Sequence, residues 1–136
     1  MSILGQHLLL DLDGVSPGLL GDTAQIEIVL REAARLAGAT PIHAHFHHFG
    51  PGMGVTGVLL LRESHISIHT WPEHGFAAVD IFMCGQAQPE TATAHIAKAL
   101  AAESHRVRKL DRATASARQD VGWSERSDAQ HRSMHR

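Results

Sequence analysis

Val55-Thr56-Gly57-Val58-Leu59-Leu60-Leu61-Arg62-Glu63-Ser64-His65-Ile66-Ser67-Ile68-His69-Thr70-Trp71 is the stretch on which the fold turns. Val55 to Leu61 is aliphatic and β-branched and reads as a strand that runs directly into Glu63-Ser64. Beyond it His65, Ser67 and His69 alternate with Ile66 and Ile68, which predicts a second strand with one polar and one apolar face. Glu63-Ser64 then sits at the turn between two strands.

Upstream, Ile42 to Phe49 alternates strictly. Ile42, Ala44, Phe46 and His48 are predicted to line one face, with His43, His45, His47 and Phe49 on the other. Gly50-Pro51-Gly52-Met53-Gly54 is a glycine-rich loop. Further back, Thr23 to Ala37 places Ile26, Val29, Leu30, Ala33, Leu36 and Ala37 at three- and four-residue spacing, the pattern of an amphipathic helix. Asp22 or Thr23 can cap its start, and Gly38 suits its stop. Ile3 to Asp11 reads as a first strand, closed by the turn residues Asp13-Gly14 and Ser16-Pro17-Gly18.

Downstream, Trp71-Pro72-Glu73-His74-Gly75 breaks the pattern, and Phe76 to Met83 reads as a further strand. A second helix is predicted from Pro89 to Glu103, with Pro89 in its first turn, followed by a sixth strand from His105 to Leu110. Residues 1–110 therefore form a single domain. Residues 111–136, rich in Arg, Ser, Asp and Gln, are expected to be a mobile polar tail. This order of elements predicts an α+β fold: a two-layer α/β sandwich whose largely antiparallel sheet carries helices on one face. The other face is left for a site or a partner subunit.

The chain has 136 residues, 43% of them apolar, enough for one real core, and a net charge of −2. That balance gives no reason to expect a nucleic-acid or anionic-membrane partner. No apolar run spans a bilayer and no signal-peptide pattern opens the chain, so a cytoplasmic protein acting on a small molecule is expected. A lone cysteine, Cys84, is either a small buried apolar residue or a reactive thiol.

Histidine is over-represented, with 12 in all. His43, His45 and His47 share a strand face and raise the possibility of a metal site, but alternate strand residues lie about 7 Å apart, too far for all three to reach one ion easily. A solvent-facing or interface-lining strand fits better. Ser64 lacks the Gly-x-Ser-x-Gly setting of a hydrolase nucleophile.

The run from Glu63 to Glu73, together with Ala77-Ala78-Val79-Asp80 and Cys84-Gly85, closely resembles the short prokaryotic S-adenosylmethionine decarboxylase proenzymes. The likeness extends from Gly5-Gln6-His7-Leu8 through Phe46-His47-His48-Phe49 and Gly54-Val55-Thr56-Gly57-Val58 to about Leu110. It implies a pyruvoyl-dependent enzyme that cleaves itself between Glu63 and Ser64, giving a β chain of residues 1–63 and an α chain of residues 64–136. In that scheme the Ser64 hydroxyl attacks the Glu63 carbonyl, and the resulting ester is resolved by elimination and hydrolysis to a pyruvoyl group. The cofactor made from Ser64 takes the place of pyridoxal phosphate, and no metal is expected.

The same resemblance assigns roles. His69 matches the processing histidine that takes the Ser64 α-proton, and Thr56 stands where the family commonly carries a processing serine. Cys84 matches the cysteine that protonates the substrate after carbon dioxide leaves. Glu73 matches a carboxylate that holds ribose hydroxyls, and Phe49 with Trp71 offer aromatic surfaces to adenine. His65, next to Ser64, is read as shaping the turn. The implied reaction converts S-adenosylmethionine to its decarboxylated form, the aminopropyl donor for spermidine and other polyamines, in a homodimer of cleaved protomers with sites near the subunit interface.

Departures from the family pattern include the longer 50–54 loop, Asp13-Gly14-Val15 after the first strand, and Met83 beside the cysteine. They bear on substrate choice, so arginine or ornithine decarboxylation on the same fold is the competing reading. A histidine-rich metal-binding module that never cleaves itself is a third.

Overall fold

The computed structural model describes residues 4–113. Its elements follow in the order β1 (Gly5–Asp13), a one-turn helix α1 (Pro17–Leu20), α2 (Thr23–Leu36), β2 (Pro41–His48), β3 (Val55–Leu61), β4 (Ser64–Trp71), β5 (Phe76–Cys84), α3 (Pro89–Ala99) and β6 (Ser104–Arg112). A 3-10 turn over Pro72–His74 joins β4 to β5. The strands form one six-stranded sheet in the order β2-β3-β4-β5-β1-β6, and every neighbouring pair is antiparallel. The fold is the α+β two-layer sandwich that the pattern of elements predicts.

Strand alternation sorts the sheet into two faces. Leu8, Leu10 and Leu12 of β1, Leu59 of β3, Ile66 and Ile68 of β4, and Ile81 of β5 are all fully buried on the face covered by α2 and α3. Ile26, Leu30, Ala33 and Ala34 of α2 and Ile96 of α3 close the core from the helical side. The side chain of Asp22 caps α2 by accepting from the Gln25 N–H at 3.1 Å. Gly57 lies in β3 directly opposite Phe46 of β2, and the Phe46 ring covers the place where a Cβ would stand. Any side chain at 57 would collide with that ring.

Several details differ from the sequence reading, and three have a plain physical cause. The register of β2 shifts between Pro41 and His43, which throws Ile42 out of the alternation and leaves it 61% exposed, while Ala44 and Phe46 keep their places against the core. α3 ends at Ala99 rather than at Glu103, because Ala101 adopts a positive φ of 51° that no helix accommodates. β6 is longer than expected. It pairs with β1 over its full length, from Asp13 opposite Ser104 to Gly5 opposite Arg112, so Asp111 and Arg112 belong to the sheet. Its residues are exposed throughout, which removes the hydrophobic alternation that would have marked its ends. The remainder of the expected tail, from residue 114, lies outside the described residues.

Among the described residues no helix is long and apolar enough to cross a membrane. The face of the sheet away from the helices carries His43, His45 and His47 of β2, Thr56 and Leu60 of β3, His65, Ser67 and His69 of β4, and Asp80 and Phe82 of β5. Among the described residues no three His, Cys, Asp or Glu side chains converge as a metal would require.

Candidate active site

Two clusters of polar side chains occupy opposite ends of the β3–β4 hairpin. The first surrounds the Glu63–Ser64 peptide bond. β3 and β4 pair from Thr56 opposite His69 to Leu61 opposite Ser64, which leaves Arg62 and Glu63 as the turn. That turn is tied to the start of β2: the Arg62 N–H donates to the Thr40 carbonyl at 2.9 Å, and the Glu63 carboxylate accepts from the Thr40 N–H at 2.9 Å. With its side chain anchored, Glu63 presents its own carbonyl to the end of β5. There the Cys84 N–H donates to it at 3.1 Å, and the Cys84 thiol donates to it at 3.1 Å.

Ser64 has a φ of 144°, in the half of the Ramachandran map that side-chain-bearing residues avoid. Such a conformation costs on the order of 1–3 kcal/mol and persists only where its surroundings enforce it. Here they do, since Ser64 is paired on both sides, with Leu61 and with Met83, while its carbonyl neighbour is pinned by Cys84. The strain falls on the residue at the expected cleavage point.

The second cluster lies at the other end of the hairpin. The Thr56 hydroxyl and His69 Nδ1 are 3.1 Å apart, across adjacent strands. The Thr56 methyl does not prevent this contact. Phe49, Thr56, His69, Trp71 and Glu73 line a single cavity of ≈ 350 Å³ together with Met53, Gly54 and Thr70. Glu73 reaches it from the 3-10 turn that Pro72 opens, and Trp71 stacks obliquely on Phe76 with ring centres 5.6 Å apart. Phe49 is held edge-on against His47 at 4.6 Å.

The two clusters do not meet within one chain. His69 is five residues beyond Ser64 on β4, about 17 Å at the rise of a strand. The structure therefore brings Glu63, Ser64 and Cys84 together and brings Thr56, His69, Phe49, Trp71 and Glu73 together, but keeps the two sets apart. Thr40, which clamps the cleavage turn, carried no signal in the sequence because only its backbone takes part.

The architecture, an antiparallel six-stranded sheet with helices on one face, is shared with a known decarboxylase. The family model for S-adenosylmethionine decarboxylase matches residues 6–113. S-adenosylmethionine decarboxylase proenzymes of Parasynechococcus marenigrum and Methanococcus maripaludis are 45% and 46% identical over 120 and 113 residues, covering 88% and 82% of this chain and 93% and 92% of theirs. The proenzyme of Thermodesulfovibrio yellowstonii is 47% identical over 100 residues, 73% of each chain. The crystal structure of the adenosylmethionine decarboxylase from Aquifex aeolicus superposes with a TM-score of 0.76 at 37% identity, covering 85% of this chain and 95% of that one. This chain belongs to the S-adenosylmethionine decarboxylase family.

Proposed function

We propose that the protein is a self-processing, pyruvoyl-dependent decarboxylase of S-adenosylmethionine. The observation that carries this reading is the Glu63 carbonyl oxygen, held by two donors from Cys84 beside a strained Ser64. When the Ser64 oxygen adds to that carbonyl, negative charge gathers on an oxygen whose donors are already in place, as in an oxyanion hole. Shifting the acyl group from nitrogen to oxygen also releases the backbone from its disfavoured φ. Removal of the Ser64 α-proton then expels the new C-terminal α-carboxylate of Glu63, and hydrolysis of the dehydroalanine left at 64, with loss of ammonia, gives the pyruvoyl group.

That second step needs a base, and His69 of the same chain is too distant. A symmetric dimer supplies one. If two sheets pack by their open faces about a two-fold axis running across the strands, the Ser64 end of one β4 lies over the His69 end of the other. The homodimer thus joins Ser64 and Cys84 to Thr56, His69, Phe49, Trp71 and Glu73 of the partner subunit. Leu60 and Leu110, 40% and 51% exposed on that face, are apolar surface for such packing.

The pyruvoyl group supplies a ketone that binds the substrate amine and draws off the electrons released with carbon dioxide. The chain's own residues do the rest. Phe49 and Trp71 offer aromatic faces to the adenine, Glu73 accepts from ribose hydroxyls, and the Cys84 thiol returns a proton to the α-carbon. Two aromatic rings with a single carboxylate suit a nucleoside better than the cationic side chain of arginine or ornithine.

Coexpression of two inactive variants tests both parts. Ser64→Ala lacks the nucleophile and His69→Ala lacks the base, so neither homodimer yields pyruvoyl-bearing fragments. Mixed dimers contain one site with both groups intact, and at equal expression about a quarter of all sites are restored. Release of carbon dioxide from adenosylmethionine, but not from arginine or ornithine, confirms the substrate. A wild-type chain whose intact mass stays that of 136 residues overturns the self-cleavage reading.

A further inference from the structure

Resting on that self-cleavage reading, we propose that His65 is the base that takes the Ser64 hydroxyl proton in the first, acyl-shift step, and that Asp80 positions it. Adjacent residues of a strand normally point to opposite faces. The pairing of Ser64 with Leu61 and Met83 would direct its side chain toward the core. The positive φ of Ser64 breaks the alternation instead, and its Oγ lies 3.4 Å from Nδ1 of the neighbouring His65.

The other side of the imidazole faces a carboxylate. His65 Nε2 lies 4.0 Å from Asp80 Oδ2. Asp80 in turn has His7 Nε2 at 3.1 Å, a nitrogen shielded from solvent that finds no well-angled hydrogen bond. The Phe82 ring stands between the two histidines, with ring centres 6.1 Å from His65 and 5.5 Å from His7. Hydroxyl, imidazole and carboxylate thus run in series across β4 and β5. An acid beside the distal nitrogen holds the ring in the tautomer that leaves Nδ1 free to accept, and stabilises the imidazolium that forms. The separations are long for hydrogen bonds, so the His65 ring must move toward Ser64 Oγ and Asp80 as the proton is taken.

The step balances without a co-reactant. The Oγ proton passes to His65 Nδ1 as the Oγ–C bond to Glu63 forms. The C–N bond then breaks, and the same proton goes to the departing nitrogen, leaving an ester and a free amine at residue 64. His69 acts only afterwards, on the α-proton. The two histidines therefore have separable signatures, because hydroxylamine cuts an ester and leaves an amide intact.

The chain is made by cell-free synthesis, and its mass is followed with time, with and without hydroxylamine. His65→Ala is expected to slow cleavage about 100-fold and to remain hydroxylamine-resistant, with added imidazole restoring part of the rate. His69→Ala accumulates the hydroxylamine-sensitive ester. Asp80→Asn slows the first step about tenfold, and Asp80→Glu recovers much of it. Wild-type cleavage in His65→Ala, an ester in that variant, or failure of imidazole to restore it overturns the role of His65. Wild-type cleavage in Asp80→Asn overturns that of Asp80. Absence of cleavage in the wild-type chain itself is a different result, and it removes the self-cleavage reading before any variant is compared.

Discussion

The carbonyl oxygen of Glu63 accepts two hydrogen bonds from one residue, Cys84: its backbone N–H at 3.1 Å and its thiol at 3.1 Å. The two donors have different fates under mutation, since only the thiol belongs to the side chain. The same thiol is the proton donor proposed for decarboxylation, so on that proposal one residue would serve both the making of the cofactor and its use.

Cys84→Ala keeps the N–H donor and loses the thiol. Because a thiol is a weak donor, cleavage is expected to slow only about tenfold, below the loss seen for a strong oxyanion donor. Cys84→Ser restores a donor for cleavage, but a hydroxyl is a far weaker acid than a thiol. Its processed fraction should decarboxylate at least about 100-fold more slowly than wild type. Mass spectrometry reads the first effect and carbon dioxide release the second. Equal losses in both variants at both steps would separate the thiol from these roles.

The strain at Ser64 lies in the uncleaved backbone and does not depend on the hydroxyl. Ser64→Ala and Ser64→Gly both leave the chain uncleaved, but glycine accepts a φ of 144° and alanine does not. The glycine variant should be more stable than the alanine variant by about 1 kcal/mol, the difference being read from urea midpoints at equal slope. No difference would mean that the backbone at 64 relaxes freely once the hydroxyl is gone.

Much of this was legible in the chain, and the limits have physical causes. The alternation of Ile66 and Ile68 with His65, Ser67 and His69 placed β4 and its two faces, and the same strand rise already separates His69 from Ser64. Ala44 and Phe46 went to the core as their period required. What could not be read was any conformation decided by tertiary contact: the bulge that expels Ile42, the φ of Ser64, and the clamp that Thr40 makes with backbone atoms alone. β6 was underestimated because its pairing rests on main-chain bonds to β1 and not on a buried face. Asp80 stood in plain view in an otherwise apolar strand, yet its partners His65 and His7 come from two other strands.

Thr70 links three elements from a buried position, 6% exposed. Its Oγ1 accepts from the Val55 N–H at 2.8 Å and donates to the Leu20 carbonyl at 2.6 Å. Thr70→Val keeps the volume and strands both partners, so a loss of about 1–3 kcal/mol is expected in urea unfolding. Val55 precedes Thr56, and loosening it should also weaken the Thr56–His69 contact. A variant as stable as wild type would show that water reaches both groups.

Glu90, in the first turn of α3, accepts from Lys109 Nζ of β6 at 2.7 Å and so ties the edge strand to the helical layer. The hydrogen bond from Lys109 is the main reason that the Glu90 carboxyl lies below its ordinary value of 4.5, and the same bond holds Lys109 above its ordinary 10.5. For the depressed carboxyl, the stabilisation is present above 4.5 and lost as pH falls through the lower folded value. For the raised amine, it is complete below 10.5 and lost as pH rises through the higher folded value. Glu90→Gln should therefore melt slightly below wild type across the range between them, with the gap closing at both acid and alkaline extremes. The pair is exposed, so the gap should be small and should shrink further in high salt. Melting curves from pH 3 to pH 11 check this, and a gap that persists unchanged in acid would show that Glu90 acts through packing and not through its charge.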